Sequence, residues 1–414
     1  MAKNRDIPLE ALRGLAAAVV VAWHALQAFH PTFPREGAWW FGAVHGTAAV
    51  IVFFVLSGYV LTHRALATGD GRPLARGAVK RWPRLAGPIL ASVLFSWLLF
   101  RLDLYAHVEA GARIGSTFLA SFGDAHPDGP LQPGLKDAVL QGTVLTLFRG
   151  WPEDHTLNTV LWTMRYEFLG SFIAFGLGLA LLQLSNASLA ARMALLAVTA
   201  LLIRFAEVYY VTFVLGVALA LLTTARQVRI PWPAALGMVA LGCWLLGYRE
   251  GSPDHRWLAA LYPGTLPMTY AHAGAAALLI LALTGAEPLR LALSGPWAAW
   301  LGRLSFPLYL VHVPVICSAG AWTWLALQDT GFAAVGAILV STLASVAVAA
   351  PLAAFDRHWT RGLDRISTWL LPLGGRPVLA PPPRPASGRP DWFPIGEGGA
   401  GAGWMPSLER SDRV

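Results

Sequence analysis

Apolar residues run through most of the chain in stretches of helical length, and charged residues interrupt them at intervals. A helix rises 1.5 Å per residue, so about 20 apolar residues cross the ~30 Å hydrocarbon core of a bilayer. On this pattern, spans fall near 12–30, 44–62, 83–102, 160–183, 191–205, 207–223, 233–248, 268–285, 302–325 and 332–354. The expected fold is all-α, a polytopic transmembrane helix bundle of about ten spans. The stretch 191–205 is short for a span, and its loss would invert every later helix. The longest connection, 103–159, is rich in acids and reads as an external loop. From 373 the sequence turns to Pro, Gly and Arg with no apolar periodicity, so a membrane domain over 1–372 and a disordered cytoplasmic tail over 373–414 are expected.

Composition supports lipid as the solvent. Hydrophobic residues make up 56% of the chain and charged residues 13%, with a mean hydropathy of +0.53. A soluble domain of this length needs a more charged surface. The net charge of +8 raises the question of nucleic acid, but the cations sit in short runs between apolar stretches. They read as topology signals, and no nucleic-acid partner is expected. Lys3, Arg5 and Arg13, the group from Arg64 to Arg84, Arg226 and Arg229, Arg290 and Arg303, and Arg357, Arg361 and Arg365 all fall on one side of an even-numbered bundle. The positive-inside rule places that side, and both termini, in the cytoplasm, with the chain in the cell's inner membrane. The first apolar stretch carries Arg13 and His24 without a small-residue cleavage site, so it reads as a retained helix. Cys243 and Cys317 are isolated thiols in apolar surroundings, and no metal site is expected.

Ionisable residues inside spans cost about 2.5–3.5 kcal/mol each at the centre of a helix, which makes them functional candidates. Arg13 and His24 are eleven residues apart, three turns plus about 20°, so they share a face. Glu167 lies about a turn and a half inside the external end of its helix, with Trp162 at the interface, and needs a cation or a polar cavity. Ser305, Tyr309 and His312 form an i, i+4, i+7 stripe. His24, Glu167 and His312 are expected at one depth in the outer half. On the basic side, Lys80, Arg81 and Arg84 surround Pro83 at what reads as a helix start, where free N–H groups favour anions. Ser57 and Gly58 permit close packing or the close approach of a ligand.

These motifs together resemble the acyltransferase-3 family of membrane O-acyltransferases, in order and over nearly all of residues 6–355. Its Arg-x10-His signature matches Arg13 and His24, and its FFxxSG element matches Phe53, Phe54, Ser57 and Gly58. Its RxxR matches Arg81 and Arg84, its WxxxxE matches Trp162 and Glu167, and its S(Y/F)xxYxxH matches Ser305, Phe306, Tyr309 and His312. Phe306 stands where tyrosine is common, and Glu10 where aspartate is frequent.

The resemblance implies transfer of an acyl group, most often acetyl from acetyl-CoA, to a hydroxyl of a glycan, a lipid-linked intermediate or another exported acceptor. No permanently bound cofactor is implied, and membrane lipid is the remaining partner. Arg13, Arg81 and Arg84, with Ser57 and Gly58, would hold the donor. His24 would act as general base or acyl carrier, with Glu167 orienting or charging its ring, and Tyr309 or His312 polarising the thioester or placing the acceptor. Phe53, Phe54, Trp162 and Ser305 would position these groups. Two other classes stay open: a proton-coupled secondary transporter using His24, Glu167 and His312 as a relay, and a membrane subunit of an export complex.

Overall fold

The computed structural model describes residues 6–32, 41–120, 122, 134–149, 156–250, 255–256, 258 and 267–370. The tail expected from 373 lies outside the described residues. Among them there are no strands, and the architecture is a bundle of ten principal helices. These are α1 (Ile7–Phe29), α2 (Gly46–Thr68), α3 (Arg72–Arg101), α4 (Trp162–Gln183), α5 (Leu189–Ile203), α6 (Val208–Ala225), α7 (Trp232–Leu246), α8 (Met268–Gly285), α9 (Pro296–Val315) and α10 (Ala333–Leu370). α9 continues through a π turn, Ile316–Gly320, into Ala321–Leu327.

Eight of these are long and apolar enough to cross a membrane, and α5 and α7 are not. At 15 residues each, those two reach about 22 Å, short of the hydrocarbon thickness. The expectation of about ten spans thus becomes eight of full length plus two short apolar helices, each packed against its neighbour, α5 on α6 and α7 on α8.

The helix ends follow local chemistry. His45 caps α2 by accepting from the Ala48 N–H at 3.0 Å, and α2 stops at Gly69, whose φ of 69° is the left-handed geometry glycine adopts freely. The Asp70 carboxylate then takes both the N–H and Nε of Arg72 and turns the chain into α3. That start corrects the reading of 83–102 as the span. α3 begins at Arg72 and carries Pro83 and Pro88 inside it, so Lys80, Arg81 and Arg84 lie within the helix and have no free helix N-terminus beside them. A proline interrupts one backbone bond but need not end a membrane helix.

The 103–159 connection is more than an external loop. Its segment Leu135–Phe148, a short helix, a π turn and a last helical turn, lies along the middle of α3. A Cβ on Gly142 would meet the Leu90 Cα at 2.7 Å, and Trp82 Nε1 donates to the Thr143 carbonyl at 2.9 Å. A stretch of this length suits a re-entrant segment.

Two ends can be told apart by their ties. At one, ion pairs join Arg290 to Asp6, Arg84 to Asp356 and Lys80 to Asp364, so α1 starts and α10 finishes at the same basic end. At the other, Trp322 Nε1 donates to the Leu104 carbonyl, and Ala106 N–H to that of Cys317. α10 runs 16 residues past the expected limit of 354. Its added turns carry the two aspartates that bind α3.

The core sits among α1, α2, α3, α4, α6, α8, α9 and α10. α1 and α9 run parallel in close contact: Cβ atoms added at Gly14 and Gly302 would meet Leu301 and Glu10 at 2.6 and 2.7 Å. Ala11, Ala17, Ala25 and Ala28 of α1 are fully buried. Small residues on such a face let polar side chains meet across it.

Candidate active site

The α1–α9 pairing brings the first and last motifs together at two levels. Near the basic end, Arg13 Nε donates to Ser305 Oγ at 3.1 Å. Eleven residues further along α1, His24 Nδ1 lies 2.9 Å from Nε2 of His312. His312 is fully buried, and its Nδ1 lies 2.8 Å from the Tyr309 carbonyl. The His24 ring also stacks on Phe118, with centroids 5.1 Å apart.

Below the histidines is a cavity of about 120 Å³ lined by α1, α2, α3, α4 and α9. Its polar lining is Arg13, Ser57, Arg81, Arg84, Thr163, Glu167 and Tyr309. Val50, Phe53, Phe54, Leu85, Met164 and Phe306 supply the apolar part. Tyr309 and Thr163 end it toward the histidines: Tyr309 Oη is 3.0 Å from the Val160 carbonyl and 2.8 Å from Thr163 Oγ1, and its ring centroid is 5.9 Å from that of Phe53. The His312 ring is 5.8 Å beyond Tyr309. Neither His24 nor His312 lines the cavity.

Two of the cations of this cavity, Arg81 and Arg84, are paired with carboxylates. Arg81 Nη2 donates to Glu167 Oε1, which also accepts from Ser57 Oγ at 2.7 Å. Arg84 makes a two-point pair with Asp356, at 2.6 and 3.1 Å, and its guanidinium lies 5.9 Å from the Phe306 ring centroid. A planar fork on a carboxylate is the geometry that a phosphate also accepts.

Most of the residues expected at the site converge, with two corrections. Glu167 is bound to Arg81 and Ser57 and makes no described contact with His24, so the common level of His24, Glu167 and His312 dissolves into two levels. The cause is the electrostatic demand of Arg81, a buried cation with a carboxylate within reach. Gly58 does not face the cavity. Its neighbour Ser57 does, and 100° round the helix a Cβ on Gly58 would meet the Phe213 carbonyl oxygen of α6 at 2.3 Å. Trp162 packs its ring against Tyr166 and Tyr209, centroids 5.8 Å away in both cases, where it fastens α4 to α6.

Sequence reasoning passed over Asp356 and Thr163. Asp356 carries a readable signal, since a carboxylate at the end of an apolar stretch, on the cationic side, calls for a cation. Thr163 carries none. Asn158, just before α4, was also missed. It is fully buried, and its Nδ2 donates to the Leu310 carbonyl at 2.7 Å and to Ser92 Oγ at 3.1 Å, locking the entry of α4 to α9 and α3.

Residues 7–354 match the family model of an acyltransferase domain, that of acyltransferase-3. The chain belongs to the acyltransferase-3 family. It is also 25% identical, over 368 aligned positions, to O-acetyltransferase PaAT-1 of Phomopsis amygdali, covering 75% of this chain and 72% of that protein. No solved structure matches it. As an acyltransferase-3 protein with a bundle of long apolar helices, it is a membrane acyltransferase. The two motif pairs that α1 and α9 bring together fall inside the matched region.

Proposed function

We propose that the protein is an O-acyltransferase that moves an acetyl or other acyl group from a CoA thioester to a hydroxyl of a glycan, a lipid-linked intermediate or another exported acceptor. The observation that carries this reading is the cavity. Three guanidinium groups, Arg13, Arg81 and Arg84, line it toward the basic end, and it stops at Tyr309, one helical turn before the paired histidines. A CoA thioester has this polarity, with phosphates at one end and an uncharged arm leading to the reacting carbonyl.

In this reading the basic end faces the cytoplasm, where acyl-CoA is made, and the positive-inside rule sets the same orientation. Phosphates engage Arg81 and Arg84 by exchanging with Glu167 and Asp356, while Arg13 supports the arm. The arm reaches the histidines once the Tyr309 and Phe53 rings turn aside. There His24 takes the proton of the acceptor hydroxyl as its oxygen attacks the thioester carbonyl. The carbon–sulfur bond breaks, and the CoA thiolate recovers the proton from His24. The O-acetyltransferase activity in the name of the Phomopsis amygdali relative supports acetyl as the group moved.

The test removes the gene in the source cell and restores either the wild-type chain or His24→Ala, with membrane insertion verified by immunoblot. Mass spectrometry of cell glycans and lipid-linked intermediates should show an acyl mass lost on deletion, restored by wild type and not by the variant. Full restoration by His24→Ala would end the assignment.

A further inference from the structure

We infer that His312 is a positioning residue that fixes the tautomer of His24, in the role a carboxylate would fill elsewhere. The inference rests on the acyl-transfer reading above and adds to it the group that aims the base.

The argument is one of hydrogen counting. The Tyr309 carbonyl oxygen can only accept, and His312 Nδ1 stands 2.8 Å from it, with the Leu308 carbonyl at 3.3 Å, so Nδ1 carries the hydrogen. A neutral imidazole has one N–H, so Nε2 of His312 presents a lone pair. The atom 2.9 Å from that lone pair is His24 Nδ1, which therefore carries its own hydrogen. The lone pair of His24 is left on Nε2, the ring nitrogen turned away from His312, and the Val20 carbonyl one turn earlier on α1 is a second acceptor for the ring N–H. Charging His312 instead would put a cation on a fully buried ring with no carboxylate among its described contacts.

The chain of bonds is anchored in backbone. The carbonyl that orients His312 belongs to Tyr309, three residues earlier on the same helix, so α9 itself sets the direction of the relay. Phe118 against the His24 ring restricts its rotation about the side-chain bond. Glu167 is engaged with Arg81 and Ser57 and is not needed here.

The chemical consequence concerns the transferring proton. When His24 Nε2 takes the acceptor proton, the ring becomes an imidazolium whose Nδ1–H already points at a lone pair, and that bond becomes charge-assisted. With the tautomer reversed, His24 would present an N–H to the acceptor hydroxyl and could not accept its proton.

The experiment uses full-length protein in nanodiscs with acetyl-CoA as the donor probe. Two readouts are taken: the wild-type acylated product in cells, and ¹⁵N NMR of histidine-labelled protein, which reports tautomers and needs no acceptor. His312→Ala should lower turnover at least about 100-fold, the scale of a misdirected general base, with acetyl-CoA affinity unchanged. His312→Gln, whose Oε1 can accept from His24 Nδ1, should recover about tenfold over His312→Ala. The spectrum should show His24 protonated at Nδ1 in the wild type and a tautomer mixture in His312→Ala. Equal losses in the Gln and Ala variants, or a His24 protonated at Nε2 in the wild type, would overturn the inference. Inactive His24→Ala beside fully active His312→Ala would overturn it alone and leave the acyl-transfer reading standing; active His24→Ala would remove that reading itself.

Discussion

Arg81 and Glu167 face each other in the wall of the cavity, α3 to α4, and a single carboxylate oxygen receives both the guanidinium and the Ser57 hydroxyl. Both side chains are largely withdrawn from solvent, at 13% and 15% exposure. Truncating one partner leaves the other a poorly solvated charge, which costs up to about 3 kcal/mol. Arg81→Ala and Glu167→Ala should each lower the thermal stability of the detergent-solubilised protein. Arg81→Met with Glu167→Leu should restore it, since an apolar pair of similar volume replaces the ions. The double variant should still fail to bind acetyl-CoA, measured by calorimetry. Restored stability together with restored binding would show that Arg81 is structural only.

Arg84 and Asp356 are a second such pair, but Arg84 is 30% exposed, so less is at stake for folding. The carboxylate competes with any incoming phosphate for the guanidinium fork. Asp356→Asn should tighten CoA binding several-fold at low salt, and Arg84→Ala should weaken it by roughly 10-fold, the scale of one charge-assisted hydrogen bond. Raising the salt should narrow the gap between the variants, because screening acts on exposed charges. Titrating CoA at two salt concentrations checks both statements.

These pairs mark what the sequence made legible and what it did not. Helix positions followed from apolar run length because lipid enforces that length, and the motif residues His24, Arg81, Ser57 and Tyr309 were found because polarity inside a span is rare. The ends of α3 and α10 were misjudged where charged residues continue a helix beyond the apolar run, as at Arg72 and Asp364. Partner choice was equally hidden. Periodicity places Glu167 on a face of α4, but only the packing of α3 against α4 shows that Arg81, and not His24, lies opposite. The segment Leu135–Phe148 escaped because a short apolar stretch inside a connection has no length signature of a span.

Gly58 and Gly216 set the spacing of α2 and α6. Cβ atoms added there would lie 2.3 Å from the Phe213 carbonyl oxygen and 2.2 Å from that of Val55, and backbone cannot yield as a side chain can. Gly58→Ala should therefore destabilise by about 1–3 kcal/mol, the usual cost of overpacking. Gly176→Ala and Gly237→Ala, where an added Cβ meets nothing within 4 Å, serve as controls and should leave the melting temperature unchanged or slightly raised. A Gly58→Ala protein as stable as the controls would contradict the close approach.

His45 makes the fold sensitive to acid. Its Nδ1 accepts the Ala48 N–H, which requires a lone pair, and burial, then the neighbouring His272 and Arg249, push its pKa from 6.5 down to about 3. Because the folded protein resists protonation here and the unfolded chain does not, this contribution is complete above pH 6.5 and is lost as pH falls from there toward 3. His45→Asn keeps a cap acceptor without a titrating ring. Melting temperatures between pH 7.5 and 4.5 should fall less steeply in the variant than in the wild type. Identical slopes would remove His45 from the acid response.

Tyr309 offers a choice between two roles. Its hydroxyl has one proton, and the Val160 carbonyl and Thr163 Oγ1 stand at 3.0 and 2.8 Å to take it. A hydroxyl so engaged holds the wall between cavity and histidines and is not free to polarise a thioester. Tyr309→Phe keeps the ring and should lower turnover by less than tenfold, in line with one neutral hydrogen bond of about 1 kcal/mol. Removing a donor that stabilises a developing oxyanion costs about 10²–10³ in turnover. Tyr309→Ala opens the wall and should admit longer acyl-CoA donors, read as a changed ratio of acetyl to butyryl transfer. A loss of 100-fold or more in Tyr309→Phe, with donor affinity intact, would move Tyr309 from the wall to the chemistry.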